Sequence, residues 1–134
     1  MAAAALDDVI QVAEFRAAVR RFLRSTEKVA AKHGLTPQRY LLLLMIKGAP
    51  DGSERSTVTE LTARLQLAQH TVTELVSRAV GSGLVRRKAS EQDRRVTHLT
   101  LTPKGDRLLA ASLGDLTIDR RALREIIAGL TPAR

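Results

Sequence analysis

Residues 83–105, GLVRRKASEQDRRVTHLTLTPKG, leave this chain few ways to fold. Two short β-prone runs, LVRRK and RVTHLTL, flank a polar stretch carrying Ser90, Glu91, Gln92, Asp93 and Arg94, which is the pattern of a hairpin. The cations Arg86, Arg87, Lys88, Arg94 and Arg95 crowd onto it. A small hairpin cannot bury them, because an unpaired charge taken out of water is strongly disfavoured. They must face water or something anionic. In RVTHLTL a period of two puts Thr97, Leu99 and Leu101 on one face and Val96, His98 and Thr100 on the other. One face can therefore cover helices while the other stays partly solvated.

Helices flank the hairpin on both sides. Thr57-Val58-Thr59-Glu60 has capping-box spacing ahead of LTARLQL, which predicts a short helix. After a break at Leu67-Ala68, QHTVTELVSRAVGSG predicts another, ending at Gly81 or Gly83. Two short helices, a tight connection and a basic end are the layout of a helix-turn-helix, and the hairpin after it makes a winged helix. Upstream, residues 6–32 form a long helix without internal Gly or Pro, closed by Gly34. Its apolar stripe runs Val12, Phe15, Val19, Phe22 and Val29, with Thr26 in the polar slot. Thr36-Pro37 caps a second helix, QRYLLLLMIKG, apolar nearly all round and so expected to be buried. Thr102-Pro103 repeats that start for a helix running to Gly114, and RRALREIIAGL is a last amphipathic segment.

The expected fold class is thus mostly α with a small β-hairpin wing. We divide it into an N-terminal dimerisation helix (1–35), a winged helix-turn-helix (36–102) and C-terminal dimerisation helices (103–134), in one compact domain overall. Composition agrees, since 44% of the residues are apolar but only 2% are aromatic. A core of Leu, Val, Ile and Ala favours helices over an all-β sandwich. Of the formal charge of +8, residues 78–107 hold +5, and a localised excess suggests a binding face. Without cysteine there is no disulfide framework and no thiolate-bound zinc, and His33, His70 and His98 are too scattered to form a ligand motif. No paired carboxylates, nucleophile–base pattern or glycine-rich phosphate loop appears. We therefore expect no enzyme, no catalytic residues, no metal and no cofactor. The start MAAAALDD has no basic region, and LLLLMI is far short of the roughly 18–20 residues that cross a bilayer, so the expectation is a cytoplasmic protein with no membrane partner.

Within residues 61–105 the motif Asp93-x-Arg95 followed by Leu99-x-Leu101-Thr102-x-x-Gly105, with Thr71-Val72-Thr73 and Gly83-Leu84-Val85-x-Arg87, resembles the MarR family of transcription regulators. The resemblance implies a homodimer that binds pseudo-palindromic double-stranded DNA, usually as a repressor, and that small aromatic or phenolic inducers release. It sets the helix from Gln69 in the major groove, with Gln69, His70, Thr71 and Thr73 as base-contact candidates and Ser77 and Arg78 near phosphate. Val72, Leu75 and Val76 would face the core. Arg95, its guanidinium held by Asp93, would enter the minor groove, although Arg94 fits the tip as well. Arg86, Arg87, Lys88 and Arg94 would neutralise phosphates.

Dimerisation would fall to Val12, Phe15, Val19, Leu123, Ile126, Ile127 and Leu130, and an inducer pocket to Phe22, Leu23, Tyr40 and Leu44. His33 reads as a surface residue near a helix end. The chain departs from the family pattern in three places. Ala68 replaces a Ser- or Asp-type N-cap, Ala79-Val80 replaces a Leu-acidic pair and should add exposed apolar surface, and the stretch after Gly105 is short. The competing reading is a winged-helix module whose partner is a protein, with no specific operator.

Overall fold

The computed structural model describes residues 3, 5–114, 121 and 124–128. In chain order it contains α1 (Leu6–Lys32), α2 (Pro37–Lys47), α3 (Val58–Leu65), α4 (Gln69–Gly81), β1 (Val85–Ala89), β2 (Thr97–Leu101) and α5 (Pro103–Gly114). Residues 124–128 are also helical. The helix limits follow their caps closely. Thr36 Oγ1 accepts from Arg39 N at the start of α2. At α3 the capping box is complete in both directions, Thr57 Oγ1 accepting from Glu60 N and Glu60 Oε1 from Thr57 N. Gly34, at φ +78°, turns the chain out of α1.

The core lies where α2, α3 and α4 meet the inner face of the hairpin. Leu42, Leu43, Ile46, Leu61, Val72, Val76 and Leu99 are all nearly or fully removed from water. α2 is buried on three sides rather than all round, because Leu41 stays 37% exposed. Across the helix-turn-helix, Arg64 donates to the Met45 and Gly48 carbonyls at the end of α2. Those carbonyls lie at a helix C-terminus, where a cation is favourable.

The hairpin is antiparallel and in register from Val85↔Leu101 to Ala89↔Thr97. Both strands are shorter or shifted against the expected runs, β1 beginning at Val85 and β2 at Thr97. A third element was not foreseen. Ser56 bridges to Leu99, its N–H donating to the Leu99 carbonyl at 3.1 Å and the reverse bond closing at 2.8 Å. A one-residue bridge carries no periodicity for a sequence to reveal. The expectation of added apolar surface at Ala79-Val80 is overturned, for Ala79 is fully buried and Val80 packs against the core. There α4 meets the rest of the winged helix, and a small side chain permits close approach.

Candidate nucleic-acid interface

The helix expected to read bases, α4, is amphipathic as predicted. Val72, Leu75 and Val76 lie in the core, while Gln69, His70, Thr73, Ser77 and Arg78 are exposed. Thr71 is only half-exposed. Ala68 is the N-cap and offers no side-chain hydrogen bond, so the first-turn amides of α4 have no cap. Exposed Gln and Thr at the start of such a helix can meet base edges, and open amides can meet a phosphate. We expect Ala68→Ser to stabilise the fold by about 0.5–2 kcal/mol, read as a rise in the thermal midpoint.

The wing loop is built from inside. Ser90 is 8% exposed, and its Oγ accepts from the N–H groups of Gln92 and Asp93. Ser90 N donates to the Val96 carbonyl and Val96 N to that of Asp93, which closes the turn. Asp93 then clamps Arg95. Its Oδ1 accepts from Arg95 N at 3.0 Å and from Nε at 3.1 Å, and its Oδ2 accepts from Nη2 at 3.3 Å. The Arg95 side chain is nonetheless 91% exposed. A long flexible cation is thus directed by a short carboxylate while remaining open to a ligand. Arg94, beside it, is exposed and has no such brace among the described residues.

The Arg95 guanidinium, with its backbone N–H as the second cause, holds the Asp93 carboxyl below the ordinary carboxylate value. A depressed folded-state value means the clamp is present above the ordinary range and is lost as pH falls through that lowered value. Carboxyl carbon shifts followed by NMR should therefore give Asp93 a midpoint below the ordinary aspartate range, returning upward in Arg95→Ala.

The two faces of the hairpin do different jobs. Arg87 pairs across the strands with buried Leu99, on the helix side, and its Nη2 donates to Ser77 Oγ of α4 at 3.0 Å. This bond ties the wing to the helix beside it. Ser77 is therefore engaged within the chain, and Arg78 pairs with Glu74 one turn back. Arg86 pairs across with Thr100 and Lys88 with His98, so these share the outer face. There Arg55, Lys88, Ser90, His98 and Thr100 line a recess of about 310 Å³, with Glu91 also at its wall. His98 Nδ1 is buried with no hydrogen-bond partner among the described residues. Arg55 is a cation the sequence reading missed, brought to the wing by the Ser56 bridge.

Of the residues expected at a dimer contact, Val12 is 59% and Ile127 56% exposed, while Phe15, Val19 and Ile126 are half-buried. Leu123 and Leu130 lie outside the described residues. The four inducer candidates are not brought together. Tyr40 belongs to the core, Leu44 packs against it, and Leu23 is 45% exposed. Of the four, Phe22 alone lines a cavity of about 610 Å³ between α1 and segment 124–128, with Phe15, Arg21, Glu125 and Ile126 among its walls. The sequence set them together by apolar type; Tyr40 packs into the core from α2, while Leu23 points outward from α1. His33 is half-buried, closing α1 as its C-cap.

Among the described residues no helix is long and apolar enough to cross a membrane. A family model described as MarR family matches residues 33–96. The chain is 34% identical over 124 residues to the HTH-type transcriptional regulator TtmR of Methylorubrum extorquens, a match covering 85% of this chain and 62% of that protein. It thus spans less than two thirds of that relative. The fold is similar to AbsC of Streptomyces coelicolor, with a TM-score of 0.73 at 19% identity over 98% of this chain and 86% of that one. It is also similar to Staphylococcus aureus MarR solved with salicylate and kanamycin, with a TM-score of 0.66 at 23% identity over 92% and 77% of the two chains. With a MarR family model matched over residues 33–96 and the fold shared nearly end to end with a solved member, this chain is similar to the MarR family of transcription regulators.

Proposed function

We propose that this chain is a sequence-specific regulator of transcription that binds double-stranded DNA. In this reading it is a repressor that acts as a homodimer on a pseudo-palindromic operator and is released by a small aromatic or phenolic ligand. The observation that carries the reading is the Asp93–Arg95 clamp, which presents a directed guanidinium on a wing that Arg87 ties to Ser77 of α4. Base edges in the major groove are read by the helix, and the braced arginine suits the focused negative potential of a narrow minor groove.

One winged helix reaches one half-site, and a two-fold dimer spaces two such helices about 34–36 Å apart, one turn of DNA. Support for a second copy comes from the apolar side chains left open on α1, since Leu6, Val9, Ile10 and Val12 are each at least half exposed. The release step is supported by the cavity along α1, whose phenylalanines could hold a ring and whose Arg21 could meet a carboxylate.

The test is binding of the purified protein to labelled fragments from upstream of its own gene at moderate ionic strength. A preference for one fragment over its scrambled duplex is expected, with release by a phenolic carboxylate. Equal binding to every duplex would end the reading.

A further inference from the structure

Three segments build the recess on the outer face of the wing, with β2 in the middle. On one side, Lys88 of β1 stands directly across from His98. On the other, the Ser56–Leu99 bridge makes residues 55 and 100 the next antiparallel pair. Alternation then turns Arg55 to the same face as His98 and Thr100. The backbones that carry Arg55 and Lys88 are thus two strand spacings apart, about 10 Å, and both side chains line the recess. Neither cation has an ion-pair partner among the described residues. Asp51, the carboxylate that feels Arg55, already accepts from Ser53 N at 2.9 Å.

Two polar groups at this recess are buried and incompletely bonded. Ser90 is 8% exposed, and while its Oγ accepts from two N–H groups, its own O–H has no acceptor among the described residues. His98 Nδ1 is buried with no partner among them. Buried polar groups in folded proteins are ordinarily paired. Two left open beside two unpaired cations mark a place that a ligand completes.

We infer that the recess binds a compact oxyanion that carries its own hydrogen-bond donor, of which hydrogen phosphate is the simplest. Arg55 and Lys88 supply charge-assisted bonds to its oxygens, and the Ser90 hydroxyl supplies a further donor. The χ2 torsion of histidine is broad, so a modest turn of the His98 ring brings Nδ1 to the same ligand. Glu91, at the wall, decides the class. Its carboxylate repels a bare anion but accepts from one that has an O–H or N–H of its own. A DNA phosphodiester has no such proton, and its neighbours along the strand are charged as well. A volume of about 310 Å³ also stands at the lower end of small-molecule sites, about 300–1,000 Å³. The site is separate from the cavity along α1, and it does not depend on the DNA-binding reading.

The test is titration of the full chain near neutral pH with sodium phosphate and, at matched ionic strength, with sodium sulfate. The His98 ring and the Ser90 amide are followed by NMR. Phosphate keeps an O–H at that pH and sulfate has none. Phosphate should give saturable shifts with affinity at least about tenfold above that of sulfate, the worth of one charged hydrogen bond. Arg55→Gln, at an exposed position, should weaken phosphate about tenfold and leave the thermal midpoint unchanged. Glu91→Gln should bring the two anions to within about threefold, because a neutral amide repels neither and can donate to both.

Absence of a saturable shift overturns the inference. So does equal affinity of the wild type for both anions, which would make the recess a nonspecific basic surface. A full preference for phosphate in Glu91→Gln removes the donor requirement and with it the class assigned. If Arg55→Gln spares phosphate binding but lowers the salt slope of duplex binding by about 1, the recess belongs to the DNA backbone and the inference falls. None of these outcomes requires a preferred DNA fragment, so failure here and failure of the operator test are distinguishable.

Discussion

Arg95→Ala should lower affinity for the preferred fragment about 10- to 100-fold while leaving the thermal midpoint where it was. The stability half follows from burial, because the side chain is 91% exposed and its partners are on its own loop. The affinity half follows from the clamp. Free arginine loses rotamer freedom when it enters a groove, whereas Arg95 is already directed by Asp93 through Nε and Nη2. Asp93→Ala should therefore weaken binding too, but only severalfold, because an exposed pair carries little energy of its own. Lys88→Ala, on the outer face, should weaken every sequence alike and lower the salt slope by about 1. If Arg95→Ala cost the same on random duplex as on the preferred fragment, Arg95 would be one more phosphate contact and its groove role would be lost.

Gly105→Ala should be the most damaging single methyl in the chain. A Cβ there would stand 2.2 Å from the Leu84 carbonyl oxygen and 3.1 Å from its carbon. That carbonyl cannot step aside, since it accepts from Thr102 N at 3.0 Å. Around it, Thr102 Oγ1 donates to the Gly83 carbonyl at 2.6 Å and accepts from Gly105 N at 3.1 Å. The first turn of α5 is thus clamped onto the turn that leads into β1. Forcing the two backbones apart should cost about 3 kcal/mol or more, a fall of roughly 10 °C in the thermal midpoint. Gly114→Ala is the control, because a Cβ there meets nothing within 4 Å among the described residues. It should be neutral or stabilising by up to about 1 kcal/mol. Equal midpoints for the two variants would show that the backbone yields and that close approach is not why glycine stands at 105.

These two positions also mark how far the sequence could be read. Gly105 is visible as part of a motif, yet its need for glycine comes from Leu84, a contact across the fold and not from its own backbone angle. Arg87 looked like another phosphate cation beside Arg86 and Lys88. Only the strand register turns it inward to Ser77 and leaves its neighbours outward. Tyr40 and Leu44 read as pocket residues because apolar type cannot tell a core wall from a cavity wall.

Local chemistry was legible in the residues themselves. Thr36, Thr57 with Glu60, and Thr102 fixed where helices start, because a cap is a bond over two or three residues. The period of two in RVTHLTL fixed which face of the hairpin holds Leu99 and Leu101, and Asp93 and Arg95 lie close enough in sequence to find each other. What joins distant segments was not legible. The Ser56–Leu99 bridge, the seat of Gly105 on Leu84, the Arg87–Ser77 tie and the cavity beside Phe22 depend on surfaces that exist only once helices and hairpin have packed. Short-range hydrogen bonds are written in neighbouring residues, whereas contacts between elements are set by where the whole core closes.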